Sequence, residues 1–342
     1  MRVASFGPKP EISVVVPCFN EDAVLLETTR RLTASMEAIG RAFEIVYVDD
    51  GSRDNTPRIL TELHGSDPRI RVVRLSRNFG HQVAISAGLE YARGAAVVLI
   101  DADLQDPPEV ISEMVELWSQ GADVVYGTRQ NREGETAFKT LTAKWFYRFM
   151  NRLSDVPMPL DSGDFRLLDR KVVDALLEMP ERDRFMRGMV SWVGFSQVSV
   201  PYDRAPRAAG DSKYTLWKMA RFATDGILSF SIAPLRIASL LGVLSFAFAL
   251  LGGLTAAGIG LANGRWMAPW GWVVLVVLFL GGAQLLCLGI LGEYLGRAYG
   301  ENKRRPLYFV KETLGFDQPF SRAAESRVAH EEHRSARAGF EG

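Results

Sequence analysis

The chain has 342 residues, with 40 basic and 40 acidic side chains, and 47% of its residues are hydrophobic. The balanced charge argues against a nucleic-acid-binding protein, and the length allows one large domain or two ordinary ones. Two widely separated cysteines and four histidines without metal-ligand spacing argue against a disulfide framework and a zinc site. The first ten residues contain no apolar segment, so no secretory signal is predicted.

The first 130 residues alternate apolar, β-branched runs with helical patterns of hydrophobicity. This alternation predicts an α/β domain with a mostly parallel, Rossmann-like sheet and helices on both faces. The predicted strands are 12–17, 43–48, 70–75, 96–100 and 123–126, and the predicted helices are about 22–39, 56–64, 80–92 and 108–119.

Polar residues gather where these predicted strands end. Ligands bind parallel sheets at the carboxyl ends of the strands, so these positions form the expected binding edge. They are Asn20 and Glu21, Asp49 to Ser52, Asp101 to Gln105, and Gly127 to Arg129.

Acidic residues follow the fourth predicted strand in the segment LIDADLQDPPE. Residues two apart in an extended chain point the same way, so Asp101 and Asp103 could face one Mg²⁺ or Mn²⁺ whose other ligands are diphosphate oxygens. Gln105 could add a neutral oxygen. A lone Asp-x-Asp pair is equally compatible with acids that only cap the next helix.

A second acidic turn, VDDGSRDNT, follows the second predicted strand. Asp49 could accept hydrogen bonds from a base or a ribose, and Ser52 could donate one. Gly51 permits a turn and Asp54 suits a helix cap, so part of this segment is structural. The first strand ends in PCFNE and not in a G-x-G-x-x-G or Walker-type loop, which disfavours a dehydrogenase or a P-loop enzyme.

Two segments in the second half combine aromatic and basic residues, at 137–153 and 213–230. In the first, the large apolar side chains fall near one helical face and the basic residues lie largely elsewhere. Such helices can lie in a membrane interface, although ordinary surface helices share the pattern. Because the second segment leads almost directly into a long apolar stretch, we predict interfacial placement for both.

Two uncharged stretches, 237–262 and 271–292, each exceed the roughly 20 residues that cross a bilayer core. Buried core helices are the alternative, but they rarely stay uncharged for so long. The flanking positive charges predict a hairpin in a plasma membrane, with both termini on the cytoplasmic side. These charges are Arg236 before the first stretch and Arg297, Lys303, Arg304 and Arg305 after the second, against Arg265 in the connection.

Four blocks in the first half resemble family 2 glycosyltransferases with the nucleotide-sugar-binding GT-A fold: VVVPCFNED, YVDDGSRDNT, LSRNFGHQVAISAGLEYARG and LIDADLQDPPE. Later blocks, among them LDSGDFRLLDR, RGMVSWVGF, AGDSKYTLWKM and LGEYLGRAYGENKRRPLYFV, resemble polyprenyl-phosphate glycosyltransferases. Within that group the chain is most similar to bactoprenol glucosyltransferases and more distantly to dolichyl-phosphate mannose synthase. The resemblance runs over about 11–310.

The resemblance implies transfer of a sugar, with UDP-glucose the best-matched donor, to the phosphate of a membrane polyprenol, usually with inversion. A modified arabinose, galactose, N-acetylhexosamine or GDP-mannose donor stays open. The resemblance also implies roles for individual residues. These are a nucleoside pocket of Pro17, Phe19, Glu21, Asp49, Ser52 and Asp101, a metal site of Asp101, Asp103 and Gln105, and phosphate or acceptor contacts by Arg129, Lys139, Lys144, Arg207, Ser212 and Lys213.

Two further acids, Asp161 and Asp164, precede a predicted strand at 165–168. The resemblance makes one of them, preferably Asp161, a general base or an orienting group for the acceptor, with Arg129 on a phosphate. A phosphate monoester is already largely dianionic at pH 7, because its second pKa is near 6. The acceptor therefore needs alignment and charge screening more than a base, and either acid could instead bind loop amides.

This function has two alternatives. A processive polysaccharide synthase is disfavoured, because the chain has no Q-x-x-R-W block and two spans cannot enclose a polymer channel. A non-catalytic nucleotide-sugar-binding scaffold is the alternative of another class. A homo-oligomer could cover apolar surface of the hairpin.

The predicted units are an extension 1–10, a cytoplasmic GT-A domain 11–212, a juxtamembrane helix 213–230, a hairpin 231–295 and a cytoplasmic segment 296–342, disordered from about 315.

Overall fold

A computed structural model of the chain describes residues 9–129, 162–203, 233–263 and 269–316. The amphipathic helices predicted at 137–153 and 213–230 lie outside these ranges, as does almost all of the tail predicted from 315. Their structure stays a prediction.

The described part of the first 203 residues alternates strands and helices, and the last strand follows two long helices. The strands are β1 Ile12–Cys18, β2 Phe43–Asp49, β3 Ile70–Leu75, β4 Ala96–Leu99, β5 Val124–Arg129, β6 Ser162–Asp169, β7 Gln197–Tyr202 and β8 Val310–Leu314. The helices are α1 Leu25–Ile39, α2 Thr56–Ser66, α3 His81–Tyr91, α4 Ile111–Ser119, α5 Arg170–Glu178, α6 Met186–Trp192, α7 Ala233–Asn263 and α8 Pro269–Asn302.

These strands form one sheet with the order β7-β5-β6-β4-β1-β2-β3-β8. Strands β4, β1, β2 and β3 run parallel to one another and β7 runs parallel to β5, whereas β6 runs antiparallel to both β4 and β5. Because neighbouring parallel strands end at the same edge, the loops after β1, β2 and β4 meet there. The mostly parallel α/β fold predicted from the sequence is confirmed.

Both faces of the sheet are buried, which explains the uninterrupted apolar strands. In β1, Val14 and Val16 pack towards α1 and α4 on one face, and Val15 packs towards α3, α5 and α6 on the other. All three side chains have no exposed surface. At roughly 1.5–3 kcal/mol for each large apolar side chain removed from water, these two layers supply the main driving force for folding.

The predicted and observed boundaries differ by three residues at three places near the edge where β1, β2 and β4 end, and one of them is β6, which begins at Ser162 and not at 165. Helix α1 begins at Leu25, three residues later than predicted, because the amides of Glu21 and Asp22 are held by side chains of the next acidic turn, Thr56 and Asp54. Strand β5 continues to Arg129 because β7 pairs with it along its full length.

Strand β8 joins the edge of the sheet beside β3, in antiparallel orientation. The Tyr308 hydroxyl donates to Glu90 at 2.5 Å, and the Phe316 ring packs edge-on against Tyr91 with centroids 5.0 Å apart. The chain after α8 therefore returns to the first domain. This strand is not among the predicted elements, because VKETL is short and mostly polar.

Helices α7 and α8 are long and apolar enough, by length and composition, to cross a membrane. Their most apolar windows are Ala238–Thr255, with mean hydropathy 1.9, and Phe279–Asn302, with mean hydropathy 1.3. The Cys287 thiol lies 3.2 Å from the Ala238 carbonyl oxygen, so the two helices pack against each other. Many of their leucines and phenylalanines are exposed.

Helix α3 approaches the sheet closely at Gly88, and this contact yields a prediction. A Cβ at Gly88 would lie 2.2 Å from Val15 Cγ1 in the core, whereas one at Gly65 in α2 would meet nothing within 4 Å. We expect Gly88→Ala to lower the free energy of unfolding by about 1–3 kcal/mol through overpacking. Gly65→Ala should be neutral or raise it by up to about 1 kcal/mol through helix propensity.

Thermal unfolding of the full-length variants measures both effects. Equal midpoints for Gly88→Ala and Gly65→Ala would contradict the close contact.

Candidate active site

The loops after β1 and β2 are joined by reciprocal hydrogen bonds. The Asn20 amide donates to Ser52 Oγ at 3.0 Å, and the Arg53 amide donates to Asn20 Oδ1 at 2.8 Å. The backbone of Asn20 has a positive φ of 57°, a conformation that asparagine adopts more often than most other residues do. The two loops therefore form one rigid wall of the binding edge.

The adjacent acids Asp49 and Asp50 are both buried but face different partners. Asp49 Oδ1 accepts the Ser52 amide at 2.9 Å, inside the acidic turn. Asp50 accepts the amides of Phe79 at 2.7 Å and Gly80 at 2.9 Å, in the loop that leads into α3. Burial raises the pKa of Asp50, and these two hydrogen bonds partly offset it. Asp50 is thus a structural anchor, and the role of Asp49 in a nucleoside pocket stays a prediction.

Gly51, between them, has φ +71°, and a Cβ there would lie 2.5 Å from the Arg77 carbonyl carbon. Only glycine lets the acidic turn and the loop after β3 approach this closely.

The acidic loop after β4 is held by contacts to two other elements and by a hydrogen bond of its own. The Thr28 hydroxyl of α1 donates to the Ala102 carbonyl at 2.7 Å, and the Tyr202 hydroxyl at the end of β7 donates to buried Asp106 at 2.5 Å. Asp103 Oδ1 accepts the Gln105 amide at 3.1 Å. Asp106 is therefore a structural acid, whereas the side chains of Asp101 and Asp103 are partly exposed.

Asp101 stands in a concentration of negative charge. Burial is the largest cause that raises its pKa, to about 6 overall; His81 opposes the shift, and the charges of Asp164, Asp106 and Asp103 add to it. Carboxylate oxygens are the ligands that Mg²⁺ and Mn²⁺ prefer, and a cation would offset this repulsion. Asp101 and Asp103 therefore fit a divalent ion in chemistry and charge.

The protein itself supplies only part of a metal coordination shell at this loop. Within the described ranges, no three His, Cys, Asp or Glu side chains converge as a ready-made metal site. The remaining ligands of a cation at Asp101 and Asp103 would be oxygens of a bound diphosphate and water. The Gln105 side chain, predicted as a further ligand, is only 8% exposed.

A second cluster lies beside this loop, around Asp164 of β6. Arg187 of α6 donates from Nε to Asp164 Oδ1 at 2.9 Å, and Gln82 of α3 donates from Nε2 to Oδ2 at 3.1 Å. His81 Nε2 lies 3.5 Å from Asp164 Oδ2 and 3.4 Å from Asp101 Oδ1. We call His81, Gln82, Asp164 and Arg187 the Asp164 network.

The charges of this network support one another. Burial lowers the pKa of His81, but the Asp164 hydrogen bond and the carboxylates of Asp101 and Asp164 raise it to about 9 overall. Burial alone would raise the pKa of Asp164, yet Arg187, His81 and Arg166 hold it well below its usual range. At neutral pH a cationic imidazole thus lies between two carboxylates.

Comparison with known proteins identifies the family. The Glycosyl transferase family 2 profile matches residues 13–177. The chain is 46% identical over 307 residues to the uncharacterized glycosyltransferase YkcC of Bacillus subtilis, covering 90% of this chain and 95% of that protein. It is 41% identical over 301 residues to the prophage bactoprenol glucosyl transferase homolog of Escherichia coli K12, covering 88% and 98%. The chain belongs to glycosyl transferase family 2.

The resemblance stated from the sequence motifs is thereby confirmed, and the protein is a glycosyltransferase. Among solved structures, the mannosyltransferase PcManGT from Pyrobaculum calidifontis, in complex with GDP-Man and Mn²⁺, superposes with a TM-score of 0.42 at 16% identity. That superposition covers 82% of this chain and 87% of the other. A TM-score this low supports no statement about residues or ligands here.

The described residues include most of the predicted donor side of this glycosyltransferase. Pro17 is buried in β1, Phe19 is 36% exposed just after it, and Glu21 is half-buried. Of Arg129, only the backbone at the end of β5 is described. The predicted residues Asp161, Lys139, Lys144, Arg207, Ser212 and Lys213 lie outside the described ranges.

Three members of the Asp164 network were not assigned a role from the sequence: His81, Gln82 and Arg187. Their signal was present, because GHQ follows β3 at the start of α3, and RGMVSW was already recognised as a family block. What the sequence lacked was any sign that these segments meet at Asp164, since they are separated by about 80 and 20 residues.

The bond between Tyr202 and Asp106 yields a prediction for the acidic loop. We expect Tyr202→Phe to lower the free energy of unfolding by about 1.5–3 kcal/mol, the usual value for a hydrogen bond to a charged group. Transfer should fall as well, because Asp106 shares its loop with Asp101 and Asp103. Tyr299, which is 63% exposed, provides the matched control Tyr299→Phe.

Chemical denaturation and a transfer assay on both variants test this expectation. The role of Tyr202 is refuted if its variant behaves like Tyr299→Phe.

Proposed function

We propose that this glycosyltransferase moves a hexose from a nucleotide sugar to the phosphate of a polyprenyl phosphate. The observation that carries the proposal is the 41% identity over 301 residues with a bactoprenol glucosyl transferase homolog, since 98% of that protein is covered. The alignment therefore extends well beyond the nucleotide-sugar domain that family 2 members share. Two long apolar helices would place such an enzyme beside a lipid acceptor.

The donor lies along the carboxyl edge of β1, β2 and β4 in this proposal. Asp49 and Ser52 face the nucleoside. Asp101 and Asp103 lie beside the diphosphate, together with Gln105 of the same loop. A Mg²⁺ or Mn²⁺ ion held by the two aspartates would supply charge neutralisation for the leaving diphosphate. Buried anchors at Asp50 and Asp106 keep both acidic loops in place before the donor binds.

The acceptor reacts as a phosphate dianion. Its oxygen attacks the anomeric carbon on the face opposite the leaving group, the bond to the nucleoside diphosphate breaks, and the configuration inverts. Because the dianion already carries its nucleophilic electron pair at neutral pH, alignment and screening of two anionic partners supply most of the rate. Arg129, Lys139, Lys144, Arg207, Ser212 and Lys213 are the proposed phosphate contacts, and Asp161 orients the acceptor.

The membrane arrangement follows from charge and hydropathy. Helices α7 and α8 cross the plasma membrane, the catalytic domain and both termini lie in the cytoplasm, and a homo-oligomer covers part of the apolar helix surface. The lipid phosphate then reaches the site at headgroup level while its chain stays in the bilayer. No nucleic-acid partner is involved.

UDP-glucose is the proposed donor, and the similarity of the chain to proteins named as bactoprenol glucosyl transferases supports it. The same chemistry with a modified arabinose, galactose, N-acetylhexosamine or GDP-mannose donor is the nearest alternative. A non-catalytic nucleotide-sugar-binding scaffold would bind the donor without turnover.

Membranes containing the full chain, incubated with each labelled nucleotide sugar, undecaprenyl phosphate and Mg²⁺ or Mn²⁺, test the proposal. Label should enter an organic-soluble lipid with UDP-glucose, and mass spectrometry should show one added hexose. Labelled lipid from another donor alone would replace the sugar assignment. Absence of labelled lipid with every donor would refute the transfer itself.

The metal assignment gives a separate prediction. Asp103→Asn keeps the side-chain volume but removes half of the carboxylate pair, so we expect transfer to fall at least about 100-fold, as when electrostatic stabilisation of a transition state is lost. Chelation of divalent ions should stop transfer by the native protein, and Mg²⁺ or Mn²⁺ should restore it. Glu113→Gln, an exposed change on α4, is the matched control.

Unfolding midpoints of both variants should match the native protein. Normal turnover by Asp103→Asn, or full activity after chelation, would remove the metal site from the proposal.

A further inference from the structure

Asp164 faces Asp101 because of strand register. Leu99 of β4 pairs with Arg166 of antiparallel β6, so continuing the ladder by two residues sets Asp101 opposite Asp164. Like charges directly opposite each other destabilise a sheet. The His81 Nε2 atom lies within 3.5 Å of both carboxylates and offsets this repulsion.

The orientation of Gln82 is fixed by two contacts. Its Oε1 accepts the Met186 amide of α6 at 2.8 Å, so its Nε2 must be the atom that donates to Asp164. An amide that accepts from a backbone N–H cannot be flipped without losing both bonds. Gln82 therefore connects α3, α6 and β6 at one point.

Both oxygens of Asp164 are engaged by fixed donors. Arg187 takes Oδ1, and Gln82 and His81 share Oδ2. The Asp164 side chain is only 11% exposed, and Arg166, almost fully buried, lies on the same face of β6. A general base needs a pKa near the working pH and an open lone pair. The cations around Asp164 instead hold its pKa far below that range.

We propose that Gln82 and Arg187 are positioning residues that fix the orientation of the Asp164 carboxylate, and that Asp164 in turn holds His81 against Asp101. Asp164 takes no proton from the acceptor. Through His81, the network fixes the Asp101 carboxylate, which lies on the diphosphate side of the proposed donor site. Asp164 itself belongs to β6, on the side proposed for the acceptor. This role rests on the proposed transfer to a phosphate acceptor, which needs no base.

Steady-state kinetics with UDP-glucose and undecaprenyl phosphate test the network. We expect Arg187→Met to lower kcat about 10- to 100-fold, as small displacements of reacting groups do, with KM for UDP-glucose changed less than about threefold. Arg187→Lys should restore part of kcat, because a point charge keeps the ion pair. Lys171→Met, which removes an exposed pair with Asp123, is the control and should leave kcat unchanged.

The pH profile separates positioning from base catalysis. For a positioning anion, the residual activity of Asp164→Asn relative to the native protein should stay level or fall as the pH rises from 6 to 9, because the lost carboxylate no longer raises the pKa of His81. If Asp164 were the base, that residual activity would rise tenfold per pH unit relative to the native protein as hydroxide replaced it. A rise of that kind, or native kcat in Arg187→Met, overturns the proposal.

A readout without turnover keeps this inference separate from the proposed function. Thermal unfolding of full-length Gln82→Leu, Asp164→Asn and the double variant forms a double-mutant cycle. We expect the midpoint shift of the double variant to be smaller than the sum of the two single shifts, since both changes weaken the contact between Gln82 and Asp164. Additive midpoint shifts overturn the network whether or not any donor supports transfer, whereas non-additive shifts without transfer would refute only the proposed function.

Discussion

Repulsion between carboxylates governs the binding edge of this protein. Register and chain direction bring Asp101, Asp103, Asp106 and Asp164 together at the ends of β4 and β6. Each charge buried without a partner would cost several kcal/mol. The fold meets this constraint unequally: Tyr202 holds Asp106, and three side chains hold Asp164. The side chain of Asp101, which His81 Nε2 approaches to 3.4 Å, and that of Asp103 stay partly exposed.

The same constraint accounts for the long-range contacts around the edge. An acid that is anchored also anchors its partner, so Asp50 fixes the start of α3 and Asp164 fixes α3 against α6. Helix α6 follows a loop that contacts the end of α8, where Arg297 donates to Asp183 at 3.0 Å. Strand β8 then returns the chain to β3. The apolar hairpin and the acidic edge thus belong to one connected structure.

Local sequence patterns predicted most of the strands and helices, but they did not predict which elements contact one another. Strands β1 to β5 and helices α1 to α4 follow from runs of buried β-branched residues and from helical periodicity, because both depend on neighbouring residues alone. Strand β8 carries no such pattern, since its pairing with β3 and the packing of Tyr308 and Phe316 stabilise it from outside. Helix α6 was missed for a similar reason: it is short, and its buried methionines only acquire meaning against the sheet.

The sequence by itself determined the α/β class, the family and the acids that end the second and fourth strands, because motif order and residue type are local properties. The family resemblance assigned donor roles to Asp49 and Asp103, but the sequence indicated no role for Asp50 or Asp106. Only the tertiary structure decided which acids are anchored by distant donors, namely Asp50 by the loop before α3 and Asp106 by Tyr202. The deciding contacts join residues from about 30 to about 95 positions apart, and no local pattern encodes such a distance.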